Sequence, residues 1–191
     1  PAGRLVAGAK DAAERAPAAP LLRLGRGGPE VLADGFTVFN GPAFSPDGGR
    51  IYYADSPARR ILTARYDAPS GAMAAPRTFA ALGPDTPGYP DGMAVDGEGG
   101  LWNARFDGWA VARYAPDGTC TTVLPVPVPR PTAVAFGGPD LGTLFVTTAR
   151  AGLSDAALAQ APLSGAVLYG RPGVTGRVEP ILDRRIDPSW T

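Results

Sequence analysis

The chain has 191 residues, 45% of them hydrophobic and 19% charged, and its 18 basic and 18 acidic side chains cancel. That is the composition of a globular chain with one substantial core; with no basic run, it excludes nucleic acid and an anionic membrane as charge-driven partners. There is no histidine and a single cysteine, so a Ser-His-Asp triad, a Cys-His pair, a histidine-held zinc site and an internal disulfide cannot be built within this sequence.

Residues 1 to 9 read as a turn and a strand over Arg4 to Ala9, and Lys10 to Pro20 as a loop. Leu21 to Leu24 and Val31 to Leu32 flank a glycine-rich hairpin signal. Four strands follow, near Phe36 to Phe39 or Pro42 to Phe44, then Ile51 to Ala54, Ile61 to Tyr66 and Arg77 to Ala81, and after them a crossover from Gly83 to Pro90. The next group is Met93 to Val95, Leu101 to Ala104, Ala110 to Tyr114 and Cys120 to Leu124, with Ala115-Pro116-Asp117-Gly118 as its β-turn. After a proline-rich crossover come Ala133 to Phe136, Thr143 to Thr147 and Ala166 to Tyr169, with a helical turn over Ser154 to Gln160 capped by Ser154.

This order is repetitive. Asn40 to Ala54, Asp91 to Ala104 and Thr132 to Val146 each run polar residue, apolar stretch, glycine-rich turn, second apolar stretch, and Pro1 to Gly8 matches the second half of a further copy. Leu5, Ile51, Leu101 and Leu144 lie roughly 43 to 50 residues apart, the period of a propeller blade. The 26 glycines and 22 prolines fall at turns between the apolar stretches. The fold expected is an all-β, partial β-propeller over 1–176 with about four blades or part-blades, then a partial strand and tail over 177–191. The chain is expected to start inside a repeat. No apolar run reaches membrane-spanning length and no signal-peptide pattern opens the sequence, so a cytoplasmic location is expected.

The first strand of a propeller blade lines the central channel. Asn40, Asp91 and Thr132 stand just before that strand in successive repeats, where an amide and a carboxylate suit Ca²⁺, Mg²⁺, Mn²⁺ or Zn²⁺. The competing reading makes Asn40-Gly41 and Asp91-Gly92 plain turns. Against it, each repeat has its own hairpin turn a few residues later. Asp47, Asp96 and Asp117 read as structural turn residues, Asp55 as a turn cap or a channel residue, Trp102 and Tyr52 as core, Cys120 as a small apolar strand residue and Lys10 as solvated.

The sequence resembles the gluconolactonase, regucalcin and luciferin-regenerating enzyme family. The resemblance rests on Phe39-Asn40-Gly41-Pro42-Ala43-Phe44-Ser45-Pro46-Asp47, Tyr52-Tyr53-Ala54-Asp55-Ser56, Tyr89-Pro90-Asp91-Gly92-Met93-Ala94-Val95-Asp96, Gly100-Leu101-Trp102 and Pro131-Thr132-Ala133-Val134-Ala135-Phe136-Gly137-Gly138. It implies a six-bladed β-propeller in full-length form that hydrolyses sugar lactones with one divalent metal ion in the channel. Asn40 and Asp91 would be metal ligands, Asp91 also the general base, and the third protein ligand a glutamate upstream of Pro1. Two positions depart from the family pattern: Gly8-Ala9-Lys10 stands where Gly-Thr-Met is common, and Asn103 replaces an apolar residue. Lys10 and Thr132 are the weaker candidates for substrate contact. The rival expectations are a truncated or non-catalytic ligand-binding propeller with an incomplete site, and a protein-binding scaffold.

Overall fold

A computed structural model describes residues 3–25 and 28–180; the final stretch expected as tail lies largely outside the described residues, which reach Pro180. Four antiparallel sheets account for the strands. The first holds β1 (Leu5–Gly8), β2 (Ala19–Gly25) and β3 (Gly28–Phe36) in that order. The second runs β4 (Phe39–Phe44), β5 (Arg50–Asp55), β6 (Arg60–Asp67), with β7 (Ala72–Met73) and β8 (Arg77–Ala81) both pairing β6. The third is β9 (Tyr89–Val95), β10 (Leu101–Phe106), β11 (Ala110–Tyr114) and β12 (Cys120–Pro125), and the fourth is β13 (Pro131–Gly137), β14 (Thr143–Thr148) and β15 (Val167–Gly170). Each sheet is one blade or part of one. The inner edge strands β4, β9 and β13 pack side by side in that order, and β1 packs against β4.

The middle strands are apolar without alternation because a blade is covered on both faces. In β5, Tyr52 packs edge-on to Phe79 at 4.9 Å in the interface with the third sheet. Its neighbour Tyr53, projecting from the opposite face, meets Phe36 and Phe39 at 5.6 and 5.5 Å in the interface with the first. Leu101 and Trp102 divide in the same way between the two flanking interfaces. Each such side chain, removed from water, contributes on the order of 1.5–3 kcal/mol.

The hairpin aspartates are structural. Asp47 Oδ1 accepts from the Gly49 N–H, Asp117 Oδ1 from Thr119 and Asp140 Oδ1 from Gly142. Asp96 does more than close its turn. Fully buried, it accepts from the Glu98 and Gly100 N–H groups with Oδ1 and from Trp102 Nε1 (2.8 Å) and Arg113 Nε (2.7 Å) with Oδ2. It therefore ties β9, β10 and β11 together at one end of the blade. Asp55 caps: its Oδ1 accepts from the Thr37 and Val38 N–H groups.

Helix α1 (Asp155–Gln160) forms where expected, with Ser154 Oγ accepting from the Ala157 N–H. Cys120 differs from the expectation of a small apolar strand residue. It begins β12 but is exposed, because β12 is the outer edge of its sheet. Beyond β15 the chain turns back beneath the sheets, with Gly97 N–H donating to Thr175 O, Gly176 N–H to Leu141 O and Arg177 to Phe44 O. Arg177 and Glu179 thus sit at the end of the inner strands away from Asn40 and Asp91, near Phe44, Val95 and Phe136. Among the described residues this segment holds no strand.

Candidate active site

The three polar residues of the inner strands lie within those strands, where a position just before them was expected. Asn40 is the second residue of β4, Asp91 the third of β9 and Thr132 the second of β13. At each, the pairing with the next strand slips. Asn40 pairs with Ala54 but Ala43 with Tyr52; Pro90 pairs with Arg105 but Met93 with Asn103; Pro131 pairs with Thr148 but Ala133 with Thr147. These are β-bulges, which re-aim a side chain and disrupt the ladder locally.

The glycines after Asn40 and Asp91 serve different ends. Gly41 has φ 97°, a left-handed conformation suited to glycine. Gly92 has no such angle; a Cβ there would stand 2.6 Å from Ala133 Cβ and 2.8 Å from backbone of β13. Its absence lets the third and fourth sheets approach at the inner edge, so the plain-turn reading of this dipeptide does not hold.

One cleft of about 580 Å³ is lined by Asn40 and Asp91 together, with Ser56 between them in the hydrogen-bond chain. Asn40 Nδ2 donates to Ser56 Oγ at 2.7 Å, and Ser56 Oγ donates to Pro90 O at 2.6 Å, beside Asp91. With its Nδ2 engaged, the Asn40 amide has its oxygen left to serve as a ligand. From beneath, buried Asn103 donates to Asp91 O at 2.7 Å and so holds the carbonyl that the bulge takes out of the ladder.

Asp91 is partly buried with little compensation. One oxygen accepts from its own neighbour's N–H on Gly92 at 2.9 Å. Burial pushes its carboxyl up to about 6, while that N–H and the charge of Lys10 pull the other way. Lys10 lines the same cleft, its ammonium held above the usual range by Glu14, 2.5 Å away, with Asp91 adding to the effect. Thr132 is not brought to the cleft: its Oγ1 lies 2.7 Å from Thr147 Oγ1 on β14. Phe39, Tyr89 and Phe106 supply aromatic walls.

Residues 1–150 match the family model of the SMP-30/gluconolactonase/LRE-like region. The chain belongs to the SMP-30/gluconolactonase/LRE-like family. Among members of that family, an L-arabinolactonase of Azospirillum brasilense is 47% identical over 134 residues, 70% of this chain and 43% of the relative. A 6-deoxy-6-sulfogluconolactonase of Pseudomonas putida is 41% identical over 156 residues, 80% of this chain and 52% of the relative. The solved structure of a calcium-binding protein, regucalcin, from Agrobacterium tumefaciens str. C58 superposes with a TM-score of 0.90 at 32% identity, covering 96% of this chain and 62% of its own. The chain thus spans about half the length of the curated relatives it matches, and the likeness to regucalcin makes its four sheets a partial propeller.

The residues in the cleft fit a hard cation. Asn40 offers an oriented amide oxygen and Asp91 a carboxylate short of counter-charge. Among the described residues no group of three or more His, Cys, Asp or Glu side chains gathers, so this chain's donors are an amide and a single acid.

Ser56 and Glu14 are absent from the sequence reading of the site, as are the aromatic walls. Ser56 carried a usable signal, since it follows β5, whose Ala54 faces Asn40 across the ladder.

Proposed function

We propose that the whole protein is a lactonase that opens a five- or six-carbon sugar lactone by attack of water, assisted by one divalent cation held by Asn40 and Asp91. The observation that carries this reading is the convergence of an amide locked by Ser56 and an undercompensated carboxylate in one aromatic-walled cleft. Support comes from relatives named for lactones of arabinose and of 6-deoxy-6-sulfogluconate, and from the neighbour described as a calcium-binding protein.

A divalent cation bound there supplies Lewis acidity toward the lactone carbonyl and acidifies a nearby water. Asp91 takes the proton as the water oxygen bonds to the carbonyl carbon. The ring C–O bond then breaks, the proton passes to the departing ring oxygen, and a hydroxy acid leaves with no oxidant or reductant consumed. Burial alone pushes the Asp91 carboxyl up to about 6, still below neutral pH, and the charge of a bound cation would favour the ionised, proton-accepting form further. Ser56 fixes the Asn40 amide, Asn103 fixes the Asp91 backbone, and the walls from Phe39, Tyr89 and Phe106 present apolar surface to the C–H face of a sugar ring.

The test pairs calorimetric titration of Ca²⁺, Mg²⁺, Mn²⁺ and Zn²⁺ with an acid-release assay on glucono-1,5-lactone and arabinono-1,4-lactone. The whole protein should bind one of these ions and open at least one lactone, and Asp91→Ala should abolish both. Cation binding without ring opening would make it a non-catalytic binding propeller, and full activity in Asp91→Ala would remove the base assigned here.

A further inference from the structure

The crossover from Gly83 to Gly88 leads into β9 with little hydrogen bonding of its own. Pro84 and Pro87 have no N–H to donate, and the Thr86 N–H donates within the segment, to Gly83 O at 3.0 Å. What holds it is a side chain from the second sheet. Arg59 donates through Nη1 to Gly88 O at 2.8 Å and through Nη2 to Gly83 O and Thr86 O at 3.1 and 2.6 Å. Its guanidinium carbon also lies 5.4 Å from the centre of the Tyr89 ring, a wall of the cleft. Gly88 in turn abuts the β10–β11 hairpin, where a Cβ would stand 2.5 Å from Phe106 O and 2.7 Å from Gly108 Cα.

Arg59 follows the 3₁₀ turn Ser56–Ala58, and its φ of 54° is left-handed, a region that residues with side chains seldom take. Glycine takes it freely, so what a side chain adds at this position is the reach of the guanidinium. The backbone is pinned as well: the Arg59 N–H donates to Ser56 O, and Arg59 O accepts from the Leu82 N–H, both at 2.9 Å. Three residues earlier, Ser56 Oγ donates to Pro90 O and accepts from the Asn40 amide. The turn therefore grips the incoming chain twice ahead of Asp91, through Arg59 along the crossover and through Ser56 at Pro90, while the same hydroxyl holds Asn40.

We propose that Arg59, which does not line the cleft, is a positioning residue for the cation site: it braces the strand that carries Asp91 against the turn that orients Asn40. This rests on the reading of Asn40 and Asp91 as ligands of one divalent cation. Charge by itself predicts the opposite effect. A guanidinium behind the Tyr89 wall repels a divalent ion held by Asn40 and Asp91, so removing that charge alone would tighten binding, whereas removing a brace loosens Asp91 and weakens it. An arginine suits the brace because its fork spans carbonyls from Gly83 to Gly88 while its plane stacks on a ring; a lysine ammonium is a single point.

The experiment titrates the whole protein with Ca²⁺, Mg²⁺, Mn²⁺ and Zn²⁺ by calorimetry. It compares wild type with Arg59→Gly, which relaxes the left-handed backbone and removes the charge, and with Arg59→Lys, which keeps the charge and loses the fork. Both variants should bind the ion about 10-fold more weakly than wild type. In EDTA, amide hydrogen exchange should quicken about 10-fold across residues 83–92 in both variants, with β5 and β6 at wild-type rates. Tighter binding by Arg59→Gly with Arg59→Lys unchanged would make Arg59 a bystander charge, and wild-type affinity in both would remove it from the site; either overturns the proposal. Quickened exchange spread over all four sheets would mark a structural role alone and overturn it too. A wild type that binds none of the four ions would retire the cation reading of Asn40 and Asp91. The exchange data then decide the brace: quickening confined to 83–92 upholds Arg59 as the residue positioning the Asp91 strand, and unchanged rates overturn it.

Discussion

Replacing Asp91 by asparagine should stabilise the cation-free protein, and the gain should depend on pH. Burial raises the Asp91 carboxyl from 3.8 to about 6 in the fold. Between those values the folded state holds a proton that the unfolded chain has released, so the contribution of Asp91 to stability is whole below pH 3.8 and is lost as pH rises through 6. At roughly 1.4 kcal/mol per pH unit the shift corresponds to at most about 3 kcal/mol above pH 6, less whatever the remaining contact with water screens. Asparagine keeps the shape and cannot ionise. Thermal melts in EDTA should therefore show Asp91→Asn level with wild type near pH 4 and ahead of it at pH 8, by up to about 6–12 °C for a protein of this size. Millimolar Ca²⁺ or Mg²⁺ should raise the wild-type melting temperature at pH 8 and close the gap, because the cation supplies the missing counter-charge. A wild type as stable as Asp91→Asn at pH 8 in EDTA, or a gap that ignores pH, would refute the claim that this carboxylate is buried without compensation.

Ser56→Ala should weaken divalent-cation binding by about 10–100-fold in a calorimetric titration, since the Asn40 amide loses the partner that orients it; unchanged affinity would mean the amide is held by something else. Asp96→Ala should cost about 3–5 kcal/mol in denaturant unfolding, because it removes the buried one of Arg113's two carboxylate partners, leaving the exposed Glu98, and leaves Trp102 Nε1 buried and unpaired. Gly92→Ala should cost about 1–3 kcal/mol by forcing β9 away from β13, and its measured loss should exceed that of an alanine at Gly25, where nothing lies near the added carbon.

The blades were legible because each carries its own punctuation: a turn aspartate and glycine between two apolar stretches, repeated at one period. The placement of Asn40 and Asp91 in one cleft was legible for the same reason, since equal phase in successive repeats means neighbouring positions around an axis. The depth of Asp96 was not. Asp47, Asp96 and Asp117 look alike in sequence, and what sets Asp96 apart is Arg113, two strands on, reaching back to it. Lys10 was named from the sequence, but Glu14 beside it in the cleft was hidden, because its placement goes with a left-handed φ of 54° at a residue that is not a glycine. The exposure of Cys120 followed from its sheet ending at β12, which local sequence does not state.

The bulges connect the fold to the chemistry most directly. In a strand of unbroken alternation Phe39 and Ala43 would share a face, as would Asp91 and Met93. Yet Phe39 packs in the interface with the first sheet and Ala43 in the interface with the third. The slip between Asn40 and Ala43 inverts the parity of β4 partway along. The corresponding slip in β9 comes between Pro90 and Met93, so that Met93 and Val95 fill the apolar interface while Asp91 reaches the cleft. An inner strand thereby serves two solvents, with apolar residues between blades along most of its length and a polar residue in the cleft at one end. Without the bulge the alternation that buries Met93 would carry Asp91 into the same apolar layer, where an uncompensated carboxylate costs several kcal/mol.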